Sequence, residues 1–312
     1  MNDVAYKQSE AARASGKKKR VKKNIWVITG FMLPALLVYA VYTLYPILAT
    51  FNYSFLDWSG VSGESEFIGV QNYVTLLNDA SFWQALQNNL LLVLVSIFFQ
   101  IPLGLIMALI LFSPVIGKRL LNVIFFLPYL MSTVAIGLLW IFLYDPSNGP
   151  INQFTSALGL GQFNWLGDPN LAMVAILIVV IWQFSPFYMI LFKAAMVGIP
   201  EELYESAKID GANGWKQFLY ITFPSLMPTI VTSSVLAIVG SLKAFDIFFI
   251  MTGGGPGNAT EILGTYMYSQ GFVNFNMGYA STIAAVMFLI AFVCVLIIQF
   301  IDYKRKKRGI LS

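Results

Sequence analysis

Histidine is absent from the 312 residues, and cysteine occurs once, at Cys294. The first absence removes the commonest general base and metal ligand. The second leaves neither a disulfide framework nor a thiolate metal cluster. No Gly-x-x-x-x-Gly-Lys-Ser/Thr sequence occurs, because Ser15-Gly16-Lys17 and Ile116-Gly117-Lys118-Arg119 both miss that pattern. The chain therefore has no phosphate-binding loop of its own. Charge is sparse at 11%, against about 25% in a soluble domain. No catalytic or metal-binding set can be assembled from what remains, so the residues do not point to an enzyme.

What is present is hydrocarbon, 58% of the chain with mean hydropathy +0.72. Uncharged stretches run across Asn24–Leu56, Ala80–Gly117, Leu120–Tyr144, Pro169–Phe192, Gln217–Leu242 and Ile262–Ile301. Each holds the roughly 20 apolar residues that cross a bilayer as a helix. Too little polar surface is left to cover them as buried helices of a soluble protein. The expected fold is an all-α polytopic membrane protein with six transmembrane helices. Lys and Arg cluster before the first span (Lys17, Lys18, Lys19, Arg20, Lys22, Lys23), at Lys118 and Arg119, at Lys193, Lys208 and Lys216, and over Lys304–Arg308. The alternate loops, roughly 51–85, 145–170 and 252–280, have neither residue. The positive-inside rule then puts both termini in the cytoplasm. It also makes the basic start a topology anchor and not a nucleic-acid site. The apolar run from Asn24 exceeds a signal-peptide core and reads as an uncleaved first helix. The division is a basic tail at 1–23, a permeation domain at 24–303 and a second basic tail at 304–312. Trp182-Gln183-Phe184-Ser185-Pro186 is expected to bend span four.

One polar segment, about 194–223, interrupts the apolar pattern between spans four and five. Pro200 fits a first helical position, and Glu201 and Glu202 complement the positive end of the helix dipole. Asp210-Gly211 signals a turn. Asn213 can cap a second helix with an apolar stripe of Trp215, Phe218, Leu219 and Thr222, and Pro224 then starts span five. Two short amphipathic helices joined at a Gly turn form a knob, which transmits force only if a partner grips it. The competing reading is a loop that simply lies on the membrane. In span five, Lys243 and Asp246 stand at i and i+3 of a helix and can pair. Each costs roughly 2.5–3.5 kcal/mol at the bilayer centre, so they either face a wet cavity or form an ion pair that fixes packing. Thr252-Gly253-Gly254-Gly255-Pro256-Gly257 reads as a flexible outer loop.

The ordered set Glu205-Ser206-Ala207, Asp210-Gly211-Ala212, Ile221 and Phe223-Pro224 resembles the EAA loop of ABC-importer permeases, with Ser206 for the usual Ala and Phe223 for the usual Leu. Gly69-Val70-Gln71-Asn72-Tyr73, Leu139-Trp140-Ile141-Phe142-Leu143-Tyr144-Asp145-Pro146 and the stretch from Phe245-Asp246 to Glu261 resemble its carbohydrate branch. The likeness covers nearly all of residues 25–303. It implies that Glu205, Ser206, Ala207, Asp210, Gly211 and Ala212 couple to an ATPase, with Gly211 making the turn. It also implies substrate contacts at Gln183, Phe184, Phe187, Ser241, Lys243, Ala244 and Phe245, to which the chemistry of Asp246 adds a further candidate. The implied partners are a second homologous permease, two ATPase subunits that bind ATP and Mg, an extracytoplasmic sugar-binding protein and the sugar. The implied setting is a bacterial-type plasma membrane, with no cofactor in this chain. The alternative is an ion-coupled secondary transporter using Lys243 and Asp246, against which stands the lack of a clear inverted repeat.

Overall fold

Polar caps decide where the apolar runs become helices. The computed structural model describes residues 29–61 and 63–307; the basic stretch at 1–23 and residues 308–312 lie outside the described residues. The first span is Thr29–Tyr53 (α1). A small antiparallel hairpin follows, Leu56–Trp58 (β1) against Ser65–Phe67 (β2), with Asp57 opposite Glu66. After Gln71–Leu77 (α2), Asp79 caps the second span, Ala80–Phe112 (α3), by accepting the Ser81 N–H. Asp168 caps the fourth span, Pro169–Val197 (α7), in the same way through Asn170. The third crossing is Lys118–Leu130 (α4) and Thr133–Leu143 (α5), separated by Met131 and Ser132 and bent by 96°. Pro150–Ala157 (α6) lies between α5 and α7.

The remaining elements are Glu201–Ile209 (α8), Gly214–Leu242 (α9), Asp246–Met251 (α10), Leu263–Tyr268 (α11) and Met277–Lys307 (α12). Five helices are long and apolar enough to cross a membrane alone, and the bent pair makes the sixth crossing. Three expectations need correcting. The sixth span begins at Met277, because Leu263–Val273 forms its own helical piece and the chain reverses at Asn274-Phe275-Asn276, where Phe275 has φ 53°. The Trp182–Pro186 stretch lies inside the continuous α7. Span five starts at Gly214, well before Pro224. The hairpin, α2 and α6 gather at one end of the bundle and α8 at the other; these are called the hairpin end and the loop end below.

Packing centres on α3 and α7. A Cβ on Gly104 would sit 2.7 Å from Tyr188 Cβ and 2.8 Å from the Ser185 carbonyl oxygen. With Ala108 one turn on and fully buried, the pair lets two backbones approach, which is how membrane helices gain dispersion contact without a hydrophobic driving force. The outer face of α1 is exposed along its length, as suits a surface meeting hydrocarbon.

Two asparagines on α3 hold the least regular part of the chain. Asn89 donates to the Ser241 carbonyl (2.8 Å) and accepts from the Leu263 N–H (2.7 Å). Asn88 donates to the carbonyls of Ala259 and Glu261. The Gly-rich loop is likewise tied down and not flexible. Thr260, fully buried, meets the Thr252 hydroxyl at 2.7 Å and donates to the Gly255 carbonyl at 2.6 Å.

At the hairpin end Asp79 accepts the hydroxyls of Tyr266 and Tyr279. Burial pushes its carboxyl up, but those hydroxyls and the Ser81 and Phe82 N–H groups favour the charged form and bring the pKa below the usual 3.8. A depressed carboxyl contributes stability that is present above the unfolded pKa and lost as pH falls through the folded one. The melting temperature of wild type should therefore drop more steeply below about pH 4 than that of Asp79→Asn, which keeps an acceptor without the charge. Parallel melting curves would show that this contact carries no acid sensitivity.

Candidate functional site

A break in span five makes the site. The last turn of α9 ends at Leu242, Phe245 adopts φ −150°, ψ −63°, and α10 starts afresh at Asp246. The residues of the break form one wall of a cavity of about 490 Å³, within the usual range for small-molecule sites. Ser241, Lys243, Ala244, Phe245 and Asp246 all line it. Opposite them, α7 presents Phe184 and Phe187. Seven of the eight residues proposed for the substrate path thus meet around one space.

Gln183 is the exception. It is buried behind the wall, 1% exposed, and donates to the Thr133 hydroxyl at 3.3 Å while its Oε1 has no partner. The reading of Lys243 and Asp246 also changes. They do not share a helix, because Ala244 and Phe245 lie between two helices, and they form no ion pair with each other. Both side chains are exposed at the cavity wall.

Four liners were not foreseen: Ser96 and Gln100 on α3, Tyr129 on α4 and Thr133 on α5. Ser96 and Gln100 bound a wide π-type turn, Ser96–Gln100, and such turns re-aim side chains inside a helix. The Ser96 and Ser241 hydroxyls meet at 3.0 Å, and Gln100 donates to the Val180 carbonyl at 3.3 Å. Tyr129 sits 5.7 Å from Phe187 and 6.5 Å from Phe184, ring to ring. An uncharged polar residue inside an apolar span was the available signal for Ser96 and Gln100. The cavity therefore combines aromatic faces, hydroxyls and one amide with one basic and one acidic side chain at its edge.

The second candidate surface lies at the loop end. Asn213 caps α9 by accepting from the Lys216 N–H. Gly211 turns with φ +75°, and the Ala212 N–H closes onto the Ala207 carbonyl at 2.8 Å. A Cβ at Gly211 would meet nothing, so only the left-handed backbone requires glycine there. Pro200 is the cap residue and not the first helical one, a shift of one position. Tyr204 and Thr222 hydroxyls meet at 2.9 Å and fasten α8 to α9. Ala207 and Ala212 are half-buried, whereas Glu205, Ser206, Asp210 and Gly211 are exposed beside Leu203, Ile209 and Trp215.

Residues 100–307 match the family described as binding-protein-dependent transport system inner membrane component. The chain belongs to this permease family. A probable ABC transporter permease of Pyrococcus horikoshii is 38% identical to the permease over 280 residues, covering 89% of this chain and 96% of the relative. The trehalose/maltose transport system permease MalF of Thermococcus litoralis is 34% identical, covering 85% and 90%. A crystal structure of a bacterial ABC transporter involved in import of the acidic polysaccharide alginate contains a chain that superposes with TM-score 0.78 at 26% identity, covering 90% of the permease and 96% of that chain.

Separation of Lys243 from Asp246 gives a measurable consequence. In a double-mutant cycle with Lys243→Met and Asp246→Asn, unfolding free energies in mixed micelles should add to within about 0.5 kcal/mol. A coupling well above that would restore the structural ion pair.

Proposed function

We propose that this permease imports carbohydrate, forming the path together with a second, homologous permease. The observation that carries this reading is the cavity at the span-five break, where Phe184, Phe187, Tyr129 and Phe245 face Ser96, Gln100, Thr133 and Ser241. A sugar has just these two kinds of surface: C–H faces that stack on aromatic rings, and hydroxyls that exchange hydrogen bonds with hydroxyl and amide groups. The trehalose/maltose permease among the relatives supports the same substrate class.

The energy comes from two copies of an ATPase subunit, which hold ATP and Mg and grip α8. Glu205, Ser206, Ala207, Asp210, Gly211 and Ala212 form the coupling surface. The exposed Leu203, Ile209 and Trp215 beside the Glu201, Glu202 and Glu205 carboxylates suit a protein partner better than bare solvent. The loop end faces the cytoplasm, with both termini on that side of a bacterial-type plasma membrane, since the basic residues accompany it. An extracytoplasmic binding protein delivers the sugar at the hairpin end. No observation favours the ion-coupled reading once Lys243 and Asp246 are unpaired.

Purification from native membranes in mild detergent tests this directly, comparing wild type with Gly211→Pro. Proline cannot adopt φ +75°, so the turn and the surface it presents are lost. Wild type should retain an ATPase and a second permease; the variant should lose the ATPase, and ATP-driven sugar uptake should fall to background. A lone wild-type chain that moves solute on an ion gradient would sink the proposal.

A further inference from the structure

One wall of the cavity continues beyond its mouth. Phe245, a cavity liner, stacks on Phe249 with centroids 4.9 Å apart and planes 18° from parallel. Both rings meet Tyr268, at 5.4 and 5.1 Å. Tyr268 then stacks on Phe272 at 5.3 Å and 28°. Phe249 is 42% exposed and Phe272 60%, so the rings offer faces and are not sealed in a core.

The direction of this row follows from what its ends touch. The start of α11 lies against the break, because a Cβ on Gly264 would come 2.5 Å from the Ala244 carbonyl oxygen. The wide turn Ser269–Val273, which carries Phe272, leads to Met277, and Met277 lies against Gly60 in the hairpin loop. The rings therefore climb from the cavity toward the hairpin end. Asn274 and Asn276, both exposed, follow Phe272 at the top.

We infer that Phe245, Phe249, Tyr268 and Phe272 form a track for an oligosaccharide, an outer site on which trailing sugar units stack while the leading unit occupies the cavity. This rests on the carbohydrate reading and extends it to chain length. The steps of 4.9–5.4 Å between rings are close to the length of one pyranose unit in a linear glycan. Each C–H face then finds a ring while the hydroxyl edges stay in water or reach the Tyr268 hydroxyl and the two amides. A disaccharide needs the cavity alone; longer chains also use the track.

The test is uptake by the assembled transporter in proteoliposomes, with matched di- and tetrasaccharides of the malto, cello and chito series as probes. Phe249→Ala and Phe272→Ala should raise the tetrasaccharide KM by roughly 3- to 10-fold more than the disaccharide KM, and Phe272→Trp should restore it. Equal losses at both lengths, or no change at either, overturn the track. A Phe272→Ala assembly that loses its second permease assigns these rings to a subunit interface and overturns it too. If wild type moves none of the probes, the carbohydrate reading falls and takes the track with it. Wild-type uptake with length-independent variants fails the track alone.

Discussion

Backbone that leaves a helix inside hydrocarbon must find hydrogen-bond partners within the protein, and Asn88 and Asn89 provide them here. Asn89 bridges the end of span five to the start of α11, and Asn88 holds the carbonyls just before it. Between those anchors the chain departs at Lys243, packs α10 on α5 and returns. Without the two amides, the carbonyl of Ser241 and the N–H of Leu263 would be buried and unpaired. A continuous helix would then be the cheaper conformation. The cavity exists because the break is affordable at this one depth.

That break sits at the far end of a long lever. Gly214–Leu242 is one helix of 29 residues, about 43 Å at 1.5 Å per residue. Its first turn is capped by Asn213 and strapped to α8 through Tyr204 and Thr222. Its last turn carries Ser241 into the cavity wall. The sequence suggests a separate knob of two short helices, with Pro224 as the boundary of the span. The structure joins the second of these to the span through a wide turn at Phe218–Thr222. Proline is tolerated at Phe223-Pro224 because the wider turn spacing there changes which carbonyl needs a partner. A push on α8 is thus delivered to the substrate wall by a single element, with no loop in between to absorb it.

The number of crossings and the coupling turn were legible because their signals are local: length, charge and a left-handed glycine. Positions set by distant partners were not. Ile262–Val273 is as apolar as a span, and only the reversal at Phe275 shows that it is separate. The three-residue strands of the hairpin are too short to show a period. Lys243 and Asp246 have helical spacing, but Asn89, 152 residues away from Ser241 in sequence, fixes the end of the helix that would have paired them. Gln183 has the right chemistry for a sugar contact yet turns toward Thr133. Ser96 and Gln100 reach the cavity through a π-type turn that composition does not reveal.

The charge balance of the wall narrows what fits. Lys243 and Asp246 approach the same space from either side of the break, and with no bond between them both remain available to a ligand. A saccharide with hydroxyls only can accept from one and donate to the other at no net Coulomb cost. An acidic saccharide would gain from Lys243 and lose to Asp246, and at the reduced dielectric of a membrane interior neither term is small. The aromatic faces add attraction that is indifferent to charge. Taken with the even spacing of the outer rings, the site favours neutral glycans. It recognises them by stacking and hydroxyl exchange, and a single charged anchor would not serve.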